Sequence, residues 1–295
     1  MSDIAPTGVA SETAPLISVM VKSARLAFGS QAALDASWEA LNYLYRPNYD
    51  AAVRESDALA ELLAKLGCDV RTAGADPKVG PDSIYVRDAA VFTPKGAILC
   101  RMGKGARSTE PDALAEALEG EGVPVLGAIQ GTGRLEGGDL VWFDDGTVAI
   151  ADGYRSNAEG IAQFRALVGD AAREVIPVPL PHWNGPDDVL HLMSFISPLA
   201  PELMLVYSRI MPVPFRKRLL DMGCTLIEVP DDEYDSMGCN VLAVRPGVCI
   251  AVEGNPETRR RMEAAGCEVH TYQGHHISAP GCGGPTCLTR PLKRG

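Results

Sequence analysis

Apolar residues recur along this chain in a helix-like rhythm that stops at glycine and gives way to β-favouring residues. ELLAKLGCDV ends at Val70, RLLDMGCTLIEV at Val229 and RRRMEAAGCEV at Val269; in each, glycine supplies the left-handed cap from which a strand departs. Two weaker copies, LAEALEGEGVPVLGA and FRALVGDAAREVIPV, lie between the first and second of these. The cap glycines are then Gly67, Gly122, Gly169, Gly223 and Gly266, about 50 residues apart, a period that marks a repeat architecture. Between the predicted helices lie the strand candidates SIYVRDAAVFTPKGAILC, DLVWFDDGTVAIA, ELMLVYS and NVLAVRPGVCIAVEG. Asp-Asp-Gly in the second and Arg-Pro-Gly in the fourth mark hairpin turns. Each unit reads as strands, helix, strand. Two arrangements suit five such units: a ring around an axis with loops meeting at one end, or an ordinary open α/β sheet with coincidental caps.

Composition narrows the partners. Of 295 residues, 46% are hydrophobic and 22% charged, enough apolar material for one large domain or two small ones. A net charge of −11 and a pI near 5.0 give no basic patch to hold phosphates, so no nucleic-acid partner is expected. A cationic small molecule suits this field better, although a moderately acidic surface also serves plain solubility. The N-terminus MSDIAPTGVASETAPLISVMVKSARLAF lacks a basic start and a long apolar stretch, and no later segment approaches a membrane span. A cytoplasmic protein is therefore expected, its eight cysteines reduced rather than bridged, most of them small buried hydrophobes. A homo-oligomer is left open.

Several segments carry groups suited to chemistry. In GRLEGGDLVWF, Glu136 and Asp139 flank Gly137-Gly138, where backbone can approach a ligand closely; acids beside Gly-Gly also form ordinary turns. His191 in PDDVLHLMSFISP is a core residue unless it finds a partner. GHHISAPGCGGPTCLTRPL places Cys282 and Cys287 in a Gly- and Pro-rich loop whose exposed amides suit a thiolate nucleophile. Zinc on Cys282, Cys287, His275 and His276 competes, but the Cys-x4-Cys interval is outside finger spacing and no second cysteine pair follows; no metal is expected. PDSIYVRDAAVF adds Asp82, Arg87 and Asp88, while RMGKGARSTE and GYRSN add Arg107 and Arg155. Carboxylates grip a guanidinium through paired N–H donors, and arginines grip a carboxylate in the same fork, so together they suit an amino acid with a guanidino end.

These segments resemble the guanidine-modifying enzymes of the pentein fold, in particular the dimethylarginine dimethylaminohydrolase branch. DSIYVRDAAVF, ARSTE, LEGGD with the later YRSN, and HLMS with the closing GGPTCLTRPL carry the resemblance, in matching order from about Ser83 to the end. It implies a five-bladed α/β propeller in one domain over 1–295, with a loosely ordered start of about 15 residues. It implies Cys287 as nucleophile, His191 as acid/base and Glu136 as the acid of the triad. Asp88 would bind guanidinium nitrogens, Asp82 would be a further substrate-side acid, and Arg107 and Arg155 would hold the substrate's carboxylate or shape its pocket. No cofactor is implied. Arginine deiminase or dihydrolase and amidinotransferase chemistry belong to the same fold, as does a non-catalytic ribosome-binding ring with no use for the Cys, His and Glu set. Two positions depart from the pattern: Arg87 stands where the branch has an acid, and Met193 stands where deiminases have an aspartate. Strand alternation would turn Arg87 away from Asp88 to pair with an acid. Met193 would leave room for a substituted guanidine.

Overall fold

The computed structural model describes residues 8–295. Fifteen strands form five three-stranded sheets. β1 (Leu16–Val21) is followed by the helix Tyr49–Lys65 and by β2 (Asp69–Thr72), parallel to β1. The next three units each begin with an antiparallel hairpin, cross over through a helix and return parallel to the hairpin's second strand. They are β3 (Ala90–Thr93), β4 (Gly96–Leu99), helix Glu110–Gly120 and β5 (Val125–Ala128); β6 (Leu140–Trp142), β7 (Thr147–Asp152), helix Ala158–Val168 and β8 (Glu174–Pro179); and β9 (Ile196–Ala200), β10 (Leu203–Val206), helix Val213–Asp221 and β11 (Thr225–Glu228). The fifth has β12 (Val241–Arg245), β13 (Val248–Val252), helix Pro256–Ala264 and β14 (Glu268–Tyr272). β15 (Arg290–Arg294) then pairs antiparallel with β1, so the first sheet is completed by the far end of the chain. The pseudo-fivefold ring is the arrangement adopted, and the open sheet is not.

All five cap glycines hold positive φ, between 53° and 97°, at the joint between helix and returning strand, with a short 3-10 turn intervening after Gly169. That backbone region is strained for any residue with a Cβ, which is why the same residue type recurs at the same joint. Central strands are buried on both faces: Val148, Ala149, Ile150 and Ala151 of β7 expose nothing, as do Cys249 and Ile250 of β13. Burying such a valine or isoleucine contributes roughly 1.5–3 kcal/mol, so these strands read as continuous apolar runs.

Three expectations change. SIYV is not a strand: Pro81–Ile84 forms a 3-10 turn, with Pro81 at its first position, and the backbone turns again before β3. ELMLVYS supplies only β10; its antiparallel partner β9 contains Pro198, which reads as a breaker but is tolerated because β9 is the sheet's edge. The loosely ordered start falls partly on residues 1–7, which lie outside the described residues. Residues 8–15 are packed, with Glu12 and Thr13 buried and the carbonyls of Gly8 and Ala14 accepting bonds from Arg294. Among the described residues no helix is long and apolar enough to cross a membrane.

Candidate active site

The loop from β14 to β15 explains its own glycines. A Cβ on Gly281 or Gly283 would lie 2.2 or 2.3 Å from the buried Tyr85 ring, and one on Gly284 would lie 2.5 Å from Asn240. Only a chain without side chains can wrap this closely. The wrap delivers Cys287 to a cavity three residues before β15. Its Sγ accepts a hydrogen bond from Asn240 Nδ2 at 3.4 Å, and Asn240 Oδ1 in turn receives the Thr286 amide and hydroxyl. Asn240 was invisible to the sequence reading; its only signal is a lone polar residue immediately ahead of β12.

Gly137-Gly138 serves a similar purpose, although the close approach is to the protein itself rather than to a ligand. A Cβ on Gly137 would meet the Arg87 carbonyl at 2.0 Å, and one on Gly138 would meet His191 Nδ1 at 2.5 Å. Glu136 is fully buried behind the imidazole. Its Oε2 lies 2.7 Å from His191 Nε2 and accepts from Arg155 at 3.2 Å, while Oε1 accepts the amides of Gly103 and Lys104. His191 caps the short turn Leu192–Ser194, and beneath it Asp139 receives the Leu192 amide and the Ser156 hydroxyl. With Nε2 committed to Glu136, Nδ1 is the nitrogen left on the Asp88 side, 4.0 Å from that carboxylate.

Asp88 is held from both sides. Its Oδ1 receives the Gly138 amide, and its Oδ2 receives Arg107 Nη1 at 2.6 Å. Arg107 is itself buried, with its remaining bonds going to Glu110 and the Tyr85 carbonyl. Asp82 pairs with Lys104 at 2.7 Å. Arg87 turns away from the site, as expected, and its Nη2 meets both oxygens of Glu12 at 2.8 Å. The reason differs from strand alternation, because the Arg87-Asp88 step lies in a turn.

One cavity of about 760 Å³, open mouth included, is lined by Asp82, Asp88, Arg107, Arg155, His191 and Cys287. Glu136 stands behind His191 rather than on the wall. Met193, Asn240 and Cys282 also line it, and residues 41–44 and 187–189 bound it, two stretches to which the sequence drew no attention. Burial pulls the His191 imidazole down, but Asp139, Asp88 and Glu136 more than offset it and push it up to about 9. Glu136 is the reverse: burial raises it, and the imidazolium with Arg155 and Arg107 holds it well below the usual carboxylate range. Burial, with Asp88 nearby, pushes the Cys287 thiol above its ordinary range, against the bonds from Thr286 and Asn240. Cys282 is pushed up to about 11, mainly by burial. The site therefore pairs an imidazolium–carboxylate couple with a neutral thiol.

Among the described residues, Asp88, Glu136 and His191 are the acid and imidazole groups close enough to share an ion. Arg107 and Arg155 already neutralise the two carboxylates, and Glu136 is hydrogen-bonded to the imidazole, so the trio is not an open cage. The four residues weighed for zinc form no such group: His275 packs against Tyr45 and His276 receives the Asn48 amide.

Known proteins resemble this chain in sequence and in fold. An arginine deiminase of Rhodococcus erythropolis is 26% identical over 249 residues, covering 72% of this chain and 60% of that protein; the chain thus spans less than two thirds of that relative. The N(G),N(G)-dimethylarginine dimethylaminohydrolase of Pseudomonas aeruginosa is 26% identical over 251 residues, covering 84% and 91%. A structure of the Pseudomonas aeruginosa enzyme, a cysteine-to-serine mutant complexed with citrulline, superposes with a TM-score of 0.76 at 22% identity, covering 95% of this chain and all of that one. The family model for eukaryotic N,N dimethylarginine dimethylhydrolase matches residues 23–294, and the chain belongs to that family.

Proposed function

We propose that this chain hydrolyses a C–N bond of an arginine-like guanidino compound through a covalent intermediate on Cys287. The observation that carries the reading is the meeting of Cys287, His191 and Asp88 on one cavity wall, with Glu136 2.7 Å behind the imidazole. A neutral thiol beside acids is poorly nucleophilic at rest, and a bound guanidinium reverses that field, because its positive charge stabilises the thiolate while the thiol proton passes to solvent. Cys287 Sγ then bonds to the guanidinium carbon, with Asp88 balancing the charge on the nitrogens. His191 Nδ1 gives its proton to the departing nitrogen as the C–N bond breaks, which leaves a thiouronium on Cys287. Water attacks that carbon while His191 takes up one proton; the C–S bond breaks, a second proton passes to solvent, and a neutral ureido product and thiolate result. Glu136 keeps the imidazole oriented through both steps and stabilises its charged form before the first and after the second. Arg107 positions Asp88, because its donors are already taken by Asp88, Glu110 and the Tyr85 carbonyl, and this leaves Arg155 to meet the substrate carboxylate. Asp82, tied to Lys104 on the same wall, completes the acidic side.

Met193 sets the substrate class within this reading. It is buried and lines the cavity. A thioether packs against alkyl groups, whereas an aspartate there would add a charge-assisted bond to an unsubstituted guanidinium, worth about 1.5–3 kcal/mol. N-methylated arginine, or another substituted guanidino acid, is therefore processed at least comparably to arginine. A screen of guanidino compounds for ureido product and released amine tests the chemistry, and kcat/KM for methylated against unmethylated arginine tests the substrate. Preference for arginine by more than about tenfold, roughly 1.4 kcal/mol, would replace this reading with a deiminase or dihydrolase. Product that appears only when glycine or another amine is supplied would replace it with amidino transfer.

A further inference from the structure

A second, smaller cavity lies across Glu110 from the active site. Its walls are Ala73, Val79, Val86, Ala89, Leu114 and other small apolar residues, with Lys22 and Ser83 among them. Lys22 is only 6% exposed as a residue, and among the described residues its ammonium makes no hydrogen bond or ion pair within 4.0 Å but keeps some surface open to solvent. Ser83 Oγ is fully buried without a partner. Buried polar groups are ordinarily paired, so the unpartnered Ser83 hydroxyl is an exception. Glu110 reaches the same cavity, but its two oxygens are occupied by Arg107. Asp76 at the rim is partly exposed. The ammonium and the hydroxyl thus stand as two donors on a cavity whose remaining walls are apolar apart from Glu110 and Asp76.

We infer that this cavity is a second ligand site, which takes a small monocarboxylate with a short apolar body, its carboxylate on Lys22 and Ser83 and its alkyl group among the alanines and Leu114. Apolar walls favour a branched or linear chain of a few carbons over an inorganic anion, which would leave them wet. The nearby acids Glu110 and Asp76 disfavour a dianion for the same electrostatic reason. Burial pulls the Lys22 ammonium below its ordinary range, with Glu110 and Asp76 offsetting in part. The site does not depend on the guanidino chemistry, and its test reads binding alone.

Calorimetric titration of the Cys287→Ser protein with 4-methylpentanoate is expected to give saturable binding of one ligand per chain, and its neutral amide is expected to bind at least about tenfold more weakly, the cost of losing a charge-assisted bond. Lys22→Met should weaken the carboxylate by at least about tenfold and leave the amide little changed. Because Lys22→Met alters a buried position, Ala113→Leu provides a second variant: it fills the cavity from a partly exposed helix position and should abolish binding of both probes while Lys22 remains. Inorganic phosphate should not compete. Absence of saturable binding, equal affinity for acid and amide, or unchanged affinity in either variant would overturn the proposal.

Discussion

Replacing Glu136 by glutamine keeps the shape behind His191 and removes its charge. The Glu136 carboxylate accepts from four N–H groups, those of Gly103, Lys104, Arg155 and His191. A glutamine amide has one oxygen and one NH2 group, so it can satisfy one pair only by pointing donors at the other. The imidazolium then loses a charge-assisted bond of about 1.5–3 kcal/mol, and at 1.36 kcal/mol per pH unit its titration moves down by about one to two pH units from about 9. Turnover should fall by about 10²–10³, the usual cost of disabling an acid–base group. NMR titration of nitrogen-labelled histidine measures the first quantity directly, and with five histidines in the chain the His191→Gln spectrum assigns the resonance. Stability follows the same linkage. A group whose folded value lies above its ordinary 6.5 contributes fully below that pH and loses the contribution as pH climbs through about 9, so the variant's stability should change less over that window. If His191 titrates within a few tenths of a pH unit of the native value in Glu136→Gln, the support assigned to Glu136 is wrong.

Cys287→Ser should lower turnover at least about a thousandfold, while Cys282→Ser keeps most of it, since a serine hydroxyl is far less ionised than a thiol; the reverse ranking would move the nucleophile to Cys282. The burial that raises the Cys287 thiol makes its alkylation by iodoacetamide keep rising with pH through 9 in ligand-free protein. A plateau near pH 7 would show a preformed thiolate. Met193→Asp should shift the kcat/KM ratio toward arginine by about tenfold or more, and an unchanged ratio would remove Met193 from the substrate argument. Glu12→Ala strands a buried Arg87 and should cost about 3–5 kcal/mol in denaturant unfolding with KM little altered. A raised KM at unchanged stability would place Arg87 at the substrate.

How much of this was legible follows from the range of each signal. The five glycine joints were readable because each cap is local: helix, left-handed glycine and strand lie within a dozen residues or so, and the period repeats. Hairpins announced by Asp-Asp-Gly and Arg-Pro-Gly were readable for the same reason. β9 was missed because Pro198 looks like a breaker until its edge position is known. Asn240 and the Arg107–Glu110 clamp on Asp88 were missed because their meaning arises only when distant segments meet. Gly137-Gly138 was seen, but its purpose was placed on the ligand side; Gly137 makes room for the Arg87 carbonyl and Gly138 for His191, both about fifty residues away in sequence.

The pairing of β15 with β1 has a consequence for how this protein is born. A ribosome delivers the chain from its amino end, so β1 waits while the other four units emerge. Cys287 and the strand that seals the ring then arrive on one short stretch, three residues apart. Until that stretch is out, a nascent chain already carries His191, Glu136 and Asp88, but has neither the thiol nor a closed ring. Joining strands so distant in sequence is also the slowest kind of contact to form. A chain cut short before Cys287 therefore lacks both that thiol and the strand that completes the first sheet, and a cut in the Gly-rich loop ahead of Cys287 would sever both from the preceding chain in a single event.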